Sequence, residues 1–382
     1  MHFALTEDQV AVQEAALTFA KERIAPGALA WDEQSYFPTE VIRETAGLGM
    51  ATIYVPSEQG GSGLSRLDGA LIFEALAYGC PAVAAYISIH NMVAWMVSAY
   101  GTPEQVRDWM PQLATMQWLS SYCLTEPGAG SDAAALKTTA RRDGSDYVLD
   151  GTKQFISGAG SADFYFIFAR TGGAGASGVS AFAVMKGTPG LSFGALEKKM
   201  GWNAQPTRQV IMEGCRVPAT ALVGGQEGQG FKLAMSGLDG GRVNIGACSL
   251  GAAWSALDKA RAYVVERSAF GQKLVEFQAL QFKLADMATD LEAARLMIYR
   301  AGDALDRADP QSSLYSAMGK RYATDLGFAI CNEALQLHGG YGYLKDYGIE
   351  KLVRDLRVHQ ILEGTNEIMR VVIARKLIGG NR

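Results

Sequence analysis

Tyr147-Val148-Leu149-Asp150-Gly151-Thr152-Lys153-Gln154-Phe155-Ile156 is the stretch whose reading decides the fold. The runs 147–149 and 153–156 are rich in aromatic and β-branched or aliphatic residues, and they flank an Asp-Gly pair that suits a tight turn with positive φ. The stretch therefore reads as a hairpin turning at Asp150-Gly151. Further strands are expected at 164–169, 179–185 and 209–212, with a loop of small residues at 172–178. No helix of useful length separates them. That argues for an antiparallel barrel or sandwich and against a parallel sheet.

On both sides of this block the period changes to that of a helix. Upstream, Thr6-Glu7-Asp8-Gln9 is a capping box. The helix it opens is expected to run through Phe19 and to end by Ile24-Ala25-Pro26. Helical segments follow at 39–48, 75–103 and 103–113. Downstream, helices are expected at 231–270, with an interruption near Gly240-Gly241, then at 278–307, 312–337 and 365–377. Long antiparallel helices with short connections make a bundle. The expectation is an α+β chain in three parts: helical over 1–118, β over 119–228, and a four-helix bundle over 229–382.

The totals narrow the function. With 382 residues, 48% hydrophobic and 19% charged, the chain is long enough for two or three domains, and its net charge of -4 offers no basic surface for nucleic acid. Five cysteines without metal or redox spacing read as reduced core thiols, and four dispersed histidines do not suggest a zinc site. Residues 75–103 contain no Asp, Glu, Lys or Arg, long enough to cross a bilayer, yet Gly79, Pro81, Ser88, His90 and Asn91 interrupt them. A buried helix pair is expected there, and no membrane. Met1-His2-Phe3-Ala4-Leu5 has neither a basic n-region nor an apolar core and lacks transit-peptide character, so a cytoplasmic location is expected, or the mitochondrial matrix if a presequence has been removed.

Three short motifs carry chemistry. Gln360-Ile361-Leu362-Glu363-Gly364-Thr365-Asn366 places a carboxylate behind two apolar residues and just ahead of a helix start. Lost hydration would raise its pKa and make it a general base near neutrality, whereas an ordinary loop carboxylate at a helix N-terminus would have its pKa lowered. Thr125-Glu126-Pro127-Gly128-Ala129-Gly130-Ser131-Asp132 contains G-x-G-x-x-A, with Asp150 about 20 residues on, as in a dinucleotide fingerprint. The proline and the hairpin that follows contradict that reading, so no nicotinamide site is expected. A plain surface loop and a backbone cradle for a flat or anionic ligand both remain open. Gln336-Leu337-His338-Gly339-Gly340 ends a helix at a glycine cap, and adjacent glycines also let a backbone approach a phosphate. Arg267 reads as a solvated arginine or as a pyrophosphate partner.

Taken together and in this order, the 123–132 loop, the 336–355 segment and Leu362-Glu363-Gly364-Thr365 resemble the signature regions of acyl-CoA dehydrogenases. The resemblance covers essentially the whole chain. Ile156-Ser157-Gly158-Ala159-Gly160, Gly201-Trp202-Asn203-Ala204-Gln205-Pro206-Thr207-Arg208 and Gly240-Gly241-Arg242-Val243-Asn244-Ile245 are similar to the branch of that family that acts on isobutyryl-CoA.

The resemblance implies FAD between the sheet and the bundle, a homotetramer whose neighbouring subunits complete the cofactor site, and an electron-transfer flavoprotein as acceptor. It implies that Tyr122, Leu124, Thr125, Gly130 and Ser131 line the flavin, with Ser131 also reaching the thioester ligand, and that Phe155, Ile156 and Ser157 lie along the ring. Many relatives have tryptophan where this chain has Phe155. Arg267, Phe270, Phe277, Gln278, Gln336, Leu337, His338, Gly339 and Gly340 would hold the diphosphate and adenosine, with Thr365, Asn366 and Glu367 completing that pocket. Asp239, Gly240, Gly241, Arg242 and Arg375 would contact the acyl-CoA. Glu363 would take the α-proton while the β-hydrogen leaves as hydride. Some members carry the base at the position matching Gly241, which cannot serve here. Glycines at 240 and 241 suggest room for a short branched chain beside the base. The expected substrate is isobutyryl-CoA, a valine-degradation intermediate, followed by 2-methylbutyryl-CoA or butyryl-CoA. An oxygen-using flavin oxidase or monooxygenase on the same scaffold is the rival activity.

Overall fold

The structure is a computed structural model and describes residues 4–379. Met1-His2-Phe3, part of the stretch read above for a leader, lies outside the described residues.

The chain opens with α1 (Glu7–Phe19), α2 (Ala28–Gln34), α3 (Thr39–Glu44), α4 (Arg66–Gly79), α5 (Pro81–Tyr100) and α6 (Pro103–Ala114). The capping box at α1 is present: Gln9 N–H donates to the Thr6 hydroxyl at 3.2 Å, and Thr6 N–H donates to the Gln9 side chain at 3.0 Å. Helical backbone does not stop at Pro26, as the sequence led us to expect. A π-turn over Ala20–Ile24 and a 3-10 turn over Ala25–Gly27 carry the path into α2. Pro26 sits in the first turn of a new segment, where its missing N–H costs nothing. The uncharged helix α5 is long and apolar enough to cross a membrane, but most of it is buried inside the protein.

The middle strands are β1 (Ser120–Cys123), β2 (Thr139–Asp143), β3 (Asp146–Ser157), β4 (Phe164–Arg170), β5 (Val179–Met185), β6 (Leu191–Phe193) and β7 (Thr207–Pro218). They form one curled sheet in the order β1-β4-β2-β3-β7-β6, with β5 on the other side of β4. Pairs β2–β3, β3–β7, β4–β5 and β6–β7 are antiparallel. β1 departs from the antiparallel expectation: it runs parallel to β4, because it enters straight from the helical part.

The hairpin is not where Asp150-Gly151 placed it. β3 runs unbroken through that pair, and the turn falls one Asp-Gly earlier, between Asp143 and Asp146 with Gly144 at φ 64°. Gly151, at φ 144°, forms a bulge against β7. A Cβ there would come 2.8 Å from the Thr138 backbone, and the Asp150 carboxylate accepts the Gly214 N–H at 2.7 Å. A second irregularity lies between Lys153 and Ile156, where Phe155 takes φ 58°.

The C-terminal part holds α7 (Gly230–Glu266), a small ribbon of β8 (Ser268–Ala269) and β9 (Gln272–Lys273), α8 (Gln278–Asp306), α9 (Ser312–His338), α10 (Ile349–Arg357) and α11 (Asn366–Leu377). Here α7, α8 and α9 pack on one another, and α11 packs on α9. The expected interruption at Gly240-Gly241 is absent. α7 passes through both glycines because the neighbouring elements approach closely at that point. α7 also packs against α4 and α5, so the two helical parts share one core. The short helix α10 was not anticipated.

Candidate active site

Glu363 follows the 3-10 turn Val358–Gln360 and precedes α11, whose N-cap is Thr365. Two residues in the left-handed region, Glu363 at φ 53° and Gly364 at φ 94°, swing the carboxylate inward. For a glutamate this conformation is strained and persists only if its surroundings hold it. The carboxylate is buried, and its Oε2 has no hydrogen-bond partner among the described residues. Burial pushes its pKa up to about 7, against the opposing pull of Lys320 and Arg242. Of the two readings the sequence left open, desolvation outweighs the helix N-terminus.

The carboxylate looks into a cavity of about 350 Å³. Its walls come from α5 (Ile89, Met92), α7 (Met235, Leu238), β1 (Tyr122), the 124–134 loop, β3 and α11. The bulge in β3 turns Phe155 out of the sheet: it is 66% exposed and lines the cavity with Ile156 and Ser157. Leu124, Thr125, Gly130 and Ser131 line it as well. That loop is anchored from beneath by Lys153, fully buried, which donates to the Leu124 carbonyl at 3.1 Å and to Glu126 at 2.8 Å. Glu126 in turn accepts the N–H groups of Lys137 (2.6 Å) and Thr138 (2.9 Å). Breaking such a buried pair from one side costs about 3–5 kcal/mol. After the loop comes a 3-10 turn and then β2, not a helix.

Trp202 closes the wall beside β3. Its N–H donates to Asp355 at 2.6 Å and its indole N–H to His359 at 3.1 Å, while the other ring nitrogen of His359 meets the Ser249 hydroxyl at 2.7 Å. Burial lowers the His359 pKa to about 3, so the ring is neutral and can accept from the indole.

The two glycines of α7 make room for side chains, and this corrects the idea that they leave space for the acyl group. A Cβ at Gly241 would fall inside the Glu363 carboxylate, and one at Gly240 would lie 2.5 Å from Arg66 Nη1. Asp239 is committed to Arg242 at 2.6 Å and to the Ser313 hydroxyl at 2.5 Å. Arg242 lines the cavity and donates to the Glu363 carbonyl at 3.3 Å. Arg375 is exposed on the last turn of α11, away from the cavity lining.

The remaining sequence candidates gather elsewhere. Arg267, Gln336, Leu337, His338, Gly339 and Gly340 line a second, open cleft of about 540 Å³. Arg267 is exposed, stacks over Tyr341 at 5.5 Å and has no carboxylate within ion-pair distance among the described residues. Phe277 and Gln278 stand at the start of α8 near this cleft, and Phe270 is 96% exposed beside Phe277. Thr365 is occupied as a helix cap, and Glu367 is exposed and pairs with Arg370. Asn366 points inward to Lys320, Thr324 and Asp325, so its side chain is spoken for. Lys320, Arg66, His359 and Asp355 were missed. Their partners lie far away in sequence, and no local pattern marks them.

A flat, partly polar cofactor fits the first cavity. Phe155 offers an exposed ring, Thr125, Ser131 and Ser157 offer hydroxyls, and Gly130 leaves open space above its backbone. The unpaired Arg267 and paired glycines of the second cleft suit a diphosphate.

Comparison with known proteins agrees with this geometry. Models of the acyl-CoA dehydrogenase N-terminal, middle and C-terminal domains match residues 6–117, 121–215 and 228–378. The chain is 54% identical to the mitochondrial isobutyryl-CoA dehydrogenase of Dictyostelium discoideum and 53% identical to that of Bos taurus, in each case over 98% of this chain and 90% of the relative. The solved butyryl-CoA dehydrogenase of Megasphaera elsdenii superposes with a TM-score of 0.96 at 36% identity, covering 99% of this chain and all of that one. A buried carboxylate poised near neutrality, a helix–sheet–helix frame around it and full-length matches to all three domains lead to one conclusion: the chain belongs to the acyl-CoA dehydrogenase family of FAD-dependent oxidoreductases.

Proposed function

We propose that this protein dehydrogenates a short branched acyl-CoA, isobutyryl-CoA in the first instance, across its α and β carbons, with Glu363 as the base. The supporting observation is the Glu363 carboxylate itself: buried, unpartnered at Oε2 and with its pKa near 7. A base poised near the working pH combines adequate ionisation with adequate proton affinity. Tyr122, Leu124, Thr125, Gly130, Ser131, Phe155, Ile156 and Ser157, which line the cavity, would hold the flavin of FAD, which would supply the hydride acceptor.

The chain's own groups do the rest. Glu363 Oε2 takes the α-proton. The Glu363 N–H has no hydrogen-bond acceptor among the described residues, which suits it to donate to the thioester carbonyl as negative charge develops there. Ile89, Met92, Met235 and Leu238 keep water away from the carboxylate. The relatives named for isobutyryl-CoA support the branched substrate. One methylene in an apolar pocket is worth about 1–3 kcal/mol, so 2-methylbutyryl-CoA and butyryl-CoA turn over as well, more slowly.

Arg267 and Gln336 to Gly340 form a cleft distinct from the Glu363 cavity, which supports an assembly in which they reach a neighbouring copy's FAD. We take that assembly to be a homotetramer, with electrons leaving to an electron-transfer flavoprotein. A reducing compartment, the cytoplasm in the first instance, suits the five buried free thiols.

Initial rates across straight and branched short acyl-CoAs, with a flavoprotein acceptor and with air, test the reading. Fast turnover of isobutyryl-CoA with the flavoprotein and slow reoxidation by air are expected. Rapid oxygen consumption would mark an oxidase instead.

A further inference from the structure

Lys320, on α9, is fully buried, and no carboxylate lies within ion-pair distance of it among the described residues. Nothing in the chemistry above uses it. An isolated ammonium is costly to bury, and an apolar side chain would fill the same space more cheaply. Its position suggests what it does. Nζ donates to the Gly364 carbonyl at 2.9 Å and to Asn366 Oδ1 at 2.8 Å. From α7, Arg242 donates to the preceding carbonyl, that of Glu363, at 3.3 Å. Two successive carbonyls of the left-handed turn are thus each held by a cation, one from α7 and one from α9.

We propose that Lys320 and Arg242 form a two-cation clamp that fixes the base-bearing turn and keeps its carboxylate ionised, with Lys320 acting as a positioning residue. This rests on Glu363 being the base. The clamp works against desolvation: burial raises the carboxylate's pKa to about 7, and the Lys320 and Arg242 charges hold it from rising further. Other groups near Glu363 add little opposing charge. Tyr122 on β1 and Cys248 on α7 are neutral, since burial pushes both pKa values well up. His359, below the turn, is neutral too. Asp239 on α7 is paired with Arg242, and Arg66 from α4 approaches the neighbouring Gly240. Asp132, on the loop at the cavity mouth, is exposed. α5 and β3 contribute neutral side chains to the cavity. Burial dominates and brings the Lys320 ammonium's pKa down to about 8; the Glu363 carboxylate is the main charge that supports it, Arg242 opposes it, and Asp325 and Glu367 add smaller support. At pH 7 Lys320 remains mostly protonated.

Lys320→Met removes the charge and keeps the volume. Infrared difference spectra between each protein and the same protein carrying Glu363→Gln, recorded on the FAD-loaded enzyme without substrate, read the carboxylate midpoint directly. The midpoint is expected to rise by one pH unit or more in Lys320→Met. The acid limb of kcat/KM then moves with it, giving a loss of about fivefold or more at pH 7 that is recovered on the alkaline side. A folded Lys320→Met enzyme with an unchanged midpoint overturns the proposal. Should that variant fail to fold, the isosteric Asp239→Asn takes its place. It unmasks the Arg242 charge and is expected to move the midpoint down; no movement overturns the clamp. Full activity of Glu363→Gln alone would instead sink the reading of Glu363 as the base, whatever the midpoints do.

Discussion

The cavity at Glu363 and the cleft at Arg267 belong to one chain but are built on opposite principles. The first is walled by five elements and holds a single inward carboxylate whose Oε2 is buried without a partner among the described residues. The second is open, lined by Tyr263, Tyr341 and a pair of glycines, with an arginine that finds no carboxylate among the described residues. Proton abstraction needs a low-dielectric site assembled within one chain, because each ångström of misplacement lowers the rate. Holding a diphosphate needs only donors and a surface, and a neighbouring subunit can supply those. The difference teaches that the base and its cavity are assembled within one chain, whereas the cleft offers its donors on an open surface.

The largest test removes the base. Glu363→Gln is expected to lose about 10²–10⁴-fold in turnover with isobutyryl-CoA while retaining FAD absorbance; a near-wild-type rate would dissolve the distinction between the two sites. Next comes Gly241→Ala. The new methyl displaces the carboxylate, and turnover is expected to fall about 10²-fold, while circular dichroism shows the helix intact because alanine favours it.

The cleft is tested by Arg267→Ala. Loss of a charge-assisted contact worth about 1.5–3 kcal/mol should weaken FAD retention about 10- to 100-fold, measured by fluorescence titration, with kcat at saturating FAD nearly unchanged. If Arg267 reaches a neighbour's cofactor, the loss should deepen on dilution below the assembly's dissociation.

The smallest effect is on stability. The folded pKa of Glu363 lies above its unfolded value, so ionising it in place is unfavourable and stability is lost as pH rises from about 4.5 to about 7. Thermal melts of FAD-loaded Glu363→Gln should therefore exceed those of the parent above pH 7 by at most about 3 kcal/mol, and the gap should close towards pH 5.

Much of this architecture was legible in the residues. Helix ends came within a few positions wherever apolar periodicity was strong, as at Gln278–Asp306 and Ser312–His338. The hairpin was misplaced because Asp-Gly occurs twice within nine residues, and both pairs accept positive φ. Only the Thr138 backbone, pressed against Gly151, chooses which one bulges. At the site, Leu362 lines the cavity as its apolar character suggested, but Ile361 is 49% exposed, so the dryness of the carboxylate comes from α5, α7 and other elements distant in sequence. The meaning of Gly240 and Gly241 was not legible, because it depends on Arg66 and Glu363, which come from distant parts of the chain. For the same reason Asn366 read as a cofactor contact, although it is turned inward to Lys320.

Trp202 ties these parts together mechanically. Its loop leaves the sheet, yet its amide and indole hydrogens both end on groups from the segment that carries Glu363. Prying the sheet from the helices and admitting solvent to the carboxylate thus become the same event, not separate small fluctuations. The indole proton is a built-in gauge of that event: its hydrogen–deuterium exchange should be as slow as that of the core amides of α7, and anything that speeds it should also let the base be flooded.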